Sequence, residues 1–149
     1  MSATTETAAR LNDVVAIMRD GVHFYDEAIE AVDNTALNAV LRRYRDAKKL
    51  LASDLSSAVA LRGDEPEGDG TFVGSMREGY AKLKASFGDT SRSFVDELEE
   101  HEDQALHKVE DLIKAEDTPA EAKRVLNTVY PEIKALHDDM RDIKQQFDA

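Results

Sequence analysis

Two stretches of the chain carry apolar residues that are alternately four and three positions apart. In the first stretch they are Leu11, Val15, Met18, Val22, Tyr25, Ile29 and Val32. In the last stretch they are Leu126, Val129, Ile133, Leu136, Met140, Ile143 and Phe147. This spacing puts one apolar stripe along an α-helix, and such a stripe has to be covered by other helices. The sequence therefore predicts long helices packed side by side.

Two further stretches show the stripe with an interruption. Between residues 35 and 61 the apolar residues are Leu37, Leu41, Tyr44, Leu51, Leu55 and Val59. The position between Tyr44 and Leu51 falls on Ala47 or Lys48, and we expect Ala47 to face inward while Lys48 lies at the edge with its ammonium in water. Between residues 92 and 116 the stripe contains Leu98 and Ala105, and Glu102 takes the position between them.

Helix-capping and loop residues divide these stripes into four long helices, predicted at about 5–32, 35–61, 92–116 and 119–147. The segment Thr118-Pro119-Ala120-Glu121 has the residues of a capping box with proline in the first turn. Residues 63–70, GDEPEGDG, are predicted as a surface loop, followed by a short helix at about 72–87. The predicted fold class is all-α: one domain, residues 1–149, folded as an antiparallel four-helix bundle. The short helix would lie in a long crossover between the second and third long helices.

Composition and charge exclude several classes of function. The chain of 149 residues has no Cys, which excludes disulfides, thiolate metal sites and thiol nucleophiles. Its formal net charge is −12, from 31 acidic and 19 basic residues, and this disfavours binding to nucleic acids and anionic membranes. No stretch resembles a signal peptide or a membrane span. We therefore expect a cytoplasmic protein that binds neither nucleic acid nor membranes.

Glu102 is the strongest candidate for a functional side chain, because a carboxylate at a core position needs a partner. Glu99 lies three residues earlier on the same helix, and His137 of the last helix is the expected partner. Tyr130 and Tyr25 are weaker neighbours. Two interpretations stay open: a buried Glu–His–Tyr hydrogen-bond network that fixes helix packing, or a weak Fe, Mn or Zn site formed by Glu99, Glu102 and His137.

The other histidines fit exposed ion pairs along single helices. Asp20 and His23 are three residues apart beside the first stripe, and we expect an exposed pair, with metal binding as the alternative. Two further pairs have the carboxylate four residues from the ring: His101 with Glu97, and His107 with Asp103. Exposed pairs of this kind stabilise a helix by only a few tenths of a kcal/mol, about 0.3–0.5.

Several short motifs occur in a characteristic order along the chain. They are Leu11-Asn12-Asp13, Asp20-Gly21, Phe24-Tyr25, Gly63-Asp64-Glu65-Pro66, Glu99 with Glu102-Asp103, Tyr130 with His137-Asp138, and Arg141. Together they resemble a bacterial ferritin-like four-helix-bundle family catalogued as a domain of unknown function. The resemblance covers nearly all of the chain and implies the bundle and the long crossover, but no established activity. The sequence departs from the family pattern at His23, His101 and Pro131.

A ferritin-like resemblance raises the question of a di-iron centre. Such centres use a Glu-x-x-His pair from each of two helices and one Glu from each of the other two. The chain contains no Glu-x-x-His, so we expect neither a complete di-iron centre nor ferroxidase or oxygenase activity. The favoured prediction is a non-enzymatic bundle without a cofactor that forms a homodimer or binds a protein partner, for which a stress-associated role is one option. The alternative is a ferritin-like protein that binds Fe, Mn or Zn.

Overall fold

The computed structural model describes residues 3–62 and 90–148, which form four α-helices. They are α1 (Ala3–Ala31), α2 (Thr35–Ala60), α3 (Thr90–Lys114) and α4 (Ala120–Asp148). The all-α bundle predicted from the apolar stripes is confirmed. The predicted loop at 63–70 and the predicted short helix at 72–87 lie outside the described residues. Within the described helices, none is both long and apolar enough to cross a membrane.

The capping residues in the sequence explain the start of α2 but not the start of α4. Asn34 Oδ1 accepts a hydrogen bond from the backbone N–H of Leu37 at 2.9 Å and so caps α2. The capping bond predicted for Thr118 at the start of α4 is not formed, because its buried hydroxyl has no hydrogen-bond partner among the described residues. Glu121 instead forms an ion pair with Arg62, just beyond α2, at 2.6 Å. A contact between helices replaces the local one.

The helix arrangement follows from which helices touch. α1 packs mainly on α2 and α3 mainly on α4, with further contacts of α1 on both α3 and α4 and of α2 on α4. Within the described ranges, no Cα atom of α2 comes within 8 Å of one in α3, so these two helices occupy diagonal corners. Between α3 and α4, Glu110 meets Tyr130 and Glu99 meets Lys144. Residue numbers thus rise along one helix as they fall along the other, the order expected for the predicted antiparallel arrangement.

The core has two apolar parts, one toward each end of the bundle. One part contains Leu11, Leu55 and Leu126, and the other contains Phe94 and Met140. Between these parts, each helix contributes one buried polar residue: Asp20, Lys48, Glu102 and His137. The middle of the bundle is therefore the place where polar chemistry is concentrated.

Lys48 completes the apolar stripe of α2, contrary to the expectation from the sequence. Ala47 is exposed, whereas Lys48 is 0% exposed. A lysine at such a position usually extends its ammonium to water along its apolar stem. Here the ammonium stays inside because the buried carboxylate of Glu102 lies within its reach.

Candidate functional site

A layer of polar side chains crosses the middle of the core. This polar layer consists of Tyr25, Lys48, His101 and Glu102, arranged beside Gly21 of α1. Tyr25, Lys48 and Glu102 are each no more than 1% exposed. Burying a charged group is costly unless it is paired and hydrogen-bonded. The contacts within the layer therefore decide whether it stabilises the bundle.

Each carboxylate oxygen of Glu102 faces a different side chain, and of the two only Oε2 accepts a hydrogen bond among the described residues. The Lys48 ammonium forms an ion pair with Oε1, and the Tyr25 hydroxyl donates a hydrogen bond to Oε2 at 2.7 Å. Lys48 Nζ also lies 3.8 Å from Met18 Sδ, a weak acceptor. Because α2 and α3 stand at diagonal corners, this ion pair spans the full interior of the bundle.

Gly21 provides the space that the lysine side chain needs. A Cβ atom placed on Gly21 would lie 2.7 Å from Lys48 Cδ and 3.1 Å from both Lys48 Cε and His101 Cε1. A contact of 2.7 Å is shorter than Cβ atoms tolerate, so a side chain at this position would force Lys48 to move. The stem of Lys48 therefore crosses the surface of α1 on its way to Glu102.

Burial keeps the two uncharged members of the layer neutral. Desolvation lowers the pKa of His101 to about 3, and the nearby Lys48 ammonium acts in the same direction. Burial raises the pKa of Tyr25 well above its ordinary value, and the Glu102 carboxylate adds to this effect. The exposed His101–Glu97 pair expected from the sequence is wrong, since His101 is half-buried and its ring lies beside Gly21 and Lys48.

A second polar group lies between α3 and α4. This α3–α4 cluster consists of Glu99, Asp103 and His137, each of which offers one metal-ligand atom, and these atoms all lie within 4.8 Å of one another. His137 Nε2 is 3.1 Å from Asp103 Oδ1. Glu99 and Asp103 are four residues apart and so share one face of α3, opposite His137 of α4. Two carboxylates and an imidazole are a donor set that divalent transition metals use.

The other ring nitrogen of His137 is held by a neighbouring carboxylate. His137 Nδ1 lies 3.0 Å from Asp138 Oδ1. The Lys134 ammonium, together with the His137 ring, lowers the pKa of Asp138 to about 2, so this carboxylate is ionised at neutral pH. The imidazole is thereby fixed in one orientation, with Nε2 directed toward α3.

Each carboxylate of the cluster also lies near a further basic side chain. Lys144 Nζ is 3.5 Å from Glu99 Oε2. The exposed His107 ring lies 3.4 Å from Asp103 Oδ2, which confirms the pair predicted at this spacing. The Lys144 ammonium offsets part of the repulsion between these two carboxylates, which lie one helical turn apart.

The structure divides the predicted site between these two groups. Glu102 is paired with Lys48 and Tyr25 instead of the expected partner His137, whereas Glu99 and His137 do come together. The Glu–Tyr part of the predicted network is thus present. The sequence does contain a signal for Lys48 as the partner of Glu102. Each of the two residues takes a core position in the apolar stripe of its own helix, Lys48 in α2 and Glu102 in α3.

Three weaker candidates lie in different surroundings. The Tyr130 hydroxyl donates a hydrogen bond to Glu110 at 2.7 Å and belongs to neither group. Asp20 is 0% exposed, so the exposed Asp20–His23 pair expected from the sequence is wrong in its placement. His23 itself is half-buried.

A surface groove of about 420 Å³ runs between α2 and α4. This α2–α4 groove has the buried side chains of Leu51 and Leu136 in its lining, and the 64% exposed Leu50 also borders it. The remaining lining residues are Arg43, Tyr44, Ala47, Glu132, Ala135 and Asp139. Among the described residues, the other exposed large apolar residue is Leu61, just after α2, which is 85% exposed.

Fold and site together define an all-α bundle with a buried, diagonal Lys–Glu ion pair. The chain belongs to the family described as "Domain of unknown function (DUF2383)", whose model matches residues 6–115. The matched residues include α2, α3 and every residue of the polar layer, whereas α4 lies after the last matched residue. Searches of curated proteins and of solved structures found no match. The bacterial, ferritin-like part of the resemblance stays a prediction.

Proposed function

We propose that this chain is a non-enzymatic helical bundle that acts as a homodimer, with the α2–α4 groove as the dimer interface. The observation that carries the proposal is the exposed Leu50 beside a groove with an apolar floor. The interior then has a structural role, and the surface of α2 and α4 has the binding role.

The contacts of the polar layer favour a structural role for the interior. Its charged members, Lys48 and Glu102, are neutralised by each other and have exposures of 0% and 1%. Tyr25 donates to the same carboxylate. A base or nucleophile has to reach its substrate, and these groups are both enclosed and engaged. Buried polar contacts between helices of this kind fix the relative positions of the helices.

The α2–α4 groove has the composition of an interface centre. A single exposed leucine is ordinary on a protein surface and needs no explanation. Leu50 differs because it adjoins Tyr44, Leu51 and Leu136 around one concavity. Aromatic and aliphatic side chains around a concavity, with charges at the rim, are typical of the centre and rim of protein interfaces.

The charges along the groove suit a second copy of the same chain. Arg43 of α2 and Asp139 of α4 lie near the same end of the groove, since both charges act on the pKa of Tyr44. Glu132 lies about two helical turns away along α4. A twofold axis through the middle of the groove would place a second copy with its own groove running in the opposite direction. Arg43 of one copy would then meet Glu132 of the partner subunit, and the reverse contact would form by symmetry.

The test is sedimentation velocity over a range of protein concentrations. The net charge of −12 repels a second copy at long range, so the measurement is made at about 0.15 M salt, where the screening length is about 8 Å. We expect a dimer for the natural chain and for Leu61→Glu, and a monomer for Leu50→Glu. A natural chain that is monomeric at every concentration, or equal dimerisation by both variants, would refute the proposed interface.

A further inference from the structure

We propose that the α3–α4 cluster binds one divalent transition-metal ion, with Glu99, Asp103 and His137 as the protein ligands. This site is separate from the polar layer, where the Lys48 ammonium already neutralises Glu102. It is also independent of the proposed dimer, because its residues do not line the α2–α4 groove. Each inference can therefore fail without the other.

The donor set suits zinc and its neighbours in the first transition row. Carboxylate oxygen and imidazole nitrogen bind Zn²⁺, Fe²⁺ and Mn²⁺, and three protein ligands leave a coordination position for water. With two carboxylates and one imidazole, the site would carry enough negative charge to attract a dication. Zn²⁺ and Co²⁺ are the appropriate probes, because Co²⁺ adopts similar geometry and is coloured.

The positions of the ligand atoms require only side-chain adjustment. They lie within 4.8 Å of one another, whereas ligands at about 2.0–2.1 Å around a tetrahedral ion are about 3.4 Å apart. Glu99 and Asp103 project from one face of α3, and His137 reaches them from α4. Rotations of the two carboxylates can close the remaining distance without moving either helix.

The histidine is already oriented as a ligand. Asp138 holds His137 Nδ1 at 3.0 Å, so that Nε2 faces Asp103 at 3.1 Å. Histidines that bind metals typically have such a carboxylate on the second nitrogen, and loss of that carboxylate typically weakens metal binding about 10- to 100-fold. The Asp138 contact supplies the partner on the second ring nitrogen that metal-binding histidines have, and it leaves Nε2 directed toward the carboxylates of α3.

One neighbour opposes metal binding. Lys144 Nζ lies 3.5 Å from Glu99 Oε2, and a dication bound to Glu99 would have to displace or repel that ammonium. We therefore expect modest affinity in the natural chain and tighter binding in Lys144→Ala.

The experiment is a calorimetric titration with Zn²⁺ alone, on full-length protein that carries no histidine tag and has been treated with chelator. We expect one ion per chain, a loss of at least about tenfold in affinity for His137→Ala, and a loss of about 10- to 100-fold for Asp138→Asn. His23→Ala is the matched control, a histidine of α1 outside the cluster, and should bind as the natural chain does. Absorption spectra with Co²⁺ report ligation by a second, independent signal.

Circular dichroism establishes that each variant is folded. If His137→Ala does not fold, Asp103→Asn and Glu99→Gln take its place, because both keep the shape of the side chain and remove one ligand charge. The proposal is overturned if the natural chain binds less than one Zn²⁺ per chain. It is equally overturned if the folded ligand variants bind Zn²⁺ as tightly as His23→Ala does.

Discussion

Lys48 of α2 and Glu102 of α3 form an ion pair through the centre of the bundle, although no Cα atoms of the two helices lie within 8 Å of each other. Both side chains are at least 99% buried. The attraction therefore acts where water does not screen it, and it has to offset the cost of removing two charges from water. Each of the two charges is therefore costly to keep buried without the other.

Removing either charge alone should be strongly destabilising. Lys48→Met leaves a buried carboxylate without its cation, and Glu102→Gln leaves a buried ammonium without its anion, so each should cost about 3–5 kcal/mol in the free energy of unfolding. The combined variant should recover much of this loss, because Met and Gln together bury no charge. Urea denaturation of the four proteins measures the coupling.

The control for this cycle is a surface pair between helices. Arg45 and Asp26 are 3.2 Å apart but partly exposed, and Arg45→Met should change the free energy of unfolding by no more than about 1 kcal/mol. Losses of similar size for Lys48→Met and Arg45→Met would mean that the buried pair has no special role.

The Tyr25 hydroxyl should contribute measurably to stability. Its hydrogen bond to the buried Glu102 carboxylate is 2.7 Å long, and bonds to charged groups contribute about 1.5–3 kcal/mol. Tyr25→Phe should reduce the free energy of unfolding by that amount in urea denaturation. Tyr44→Phe, which alters a half-buried ring in the α2–α4 groove, is the comparison and should change it by about 0.5 kcal/mol or less. Equal effects would contradict the assigned hydrogen bond.

Gly21→Ala tests whether Lys48 needs the space above α1. Alanine favours a helix over glycine by about 1 kcal/mol, so the substitution would stabilise an unobstructed helix. Here the new methyl group meets Lys48 Cδ at 2.7 Å, and we expect a net loss of about 1–3 kcal/mol. The loss should shrink in a Lys48→Ala background, which lacks the obstructing atoms. Equal losses in the two backgrounds, measured by thermal unfolding, would show that the lysine is not the obstacle.

The bundle could be predicted from the sequence because its helices are specified by local spacing. Six apolar residues of α1, continued by Val32 just after it, and seven of α4 follow one heptad pattern each, and helices with such stripes can bury them only against one another. The interruption at Glu102 was also visible, together with the need for a partner. Spacing does not tell, however, which helices lie at diagonal corners.

The identity of the partner depended on that tertiary arrangement. The sequence places Lys48 at the edge because lysines usually extend to water, and it favours His137 because this residue lies on a flank of α4 that can face the neighbouring helix. In the structure, Glu102 faces across the bundle while Asp103, the next residue, faces α4 and His137. A turn of about 100° between adjacent residues of α3 thus separates the two groups.

Acidification should destabilise the chain through His101. The pKa of the ring is lowered to about 3 in the fold, against 6.5 for an ordinary histidine. Between these values the unfolded chain binds a proton that the folded chain does not, so stability falls as the pH falls, by up to about 1.4 kcal/mol per pH unit. Above pH 6.5 the ring is mostly neutral in both states and the effect disappears.

His101→Gln should remove this pH dependence. The comparison is the free energy of unfolding in urea from pH 7 down to about 4.5, a range that lies above most of the carboxylate titration. The natural chain should lose stability faster than the variant as the pH falls. Parallel pH profiles would show that the ring is protonated as easily in the fold as in the unfolded chain.

The central claim, a homodimer through the α2–α4 groove, is tested most directly by reversing charges across the proposed twofold axis. Arg43→Glu and Glu132→Arg should each weaken the dimer in sedimentation velocity, because each places like charges opposite one another. The chain that carries both substitutions should dimerise again, since the pairs are restored with opposite polarity. A doubly substituted chain no more dimeric than the single variants, or a natural chain that remains monomeric, would contradict the claim.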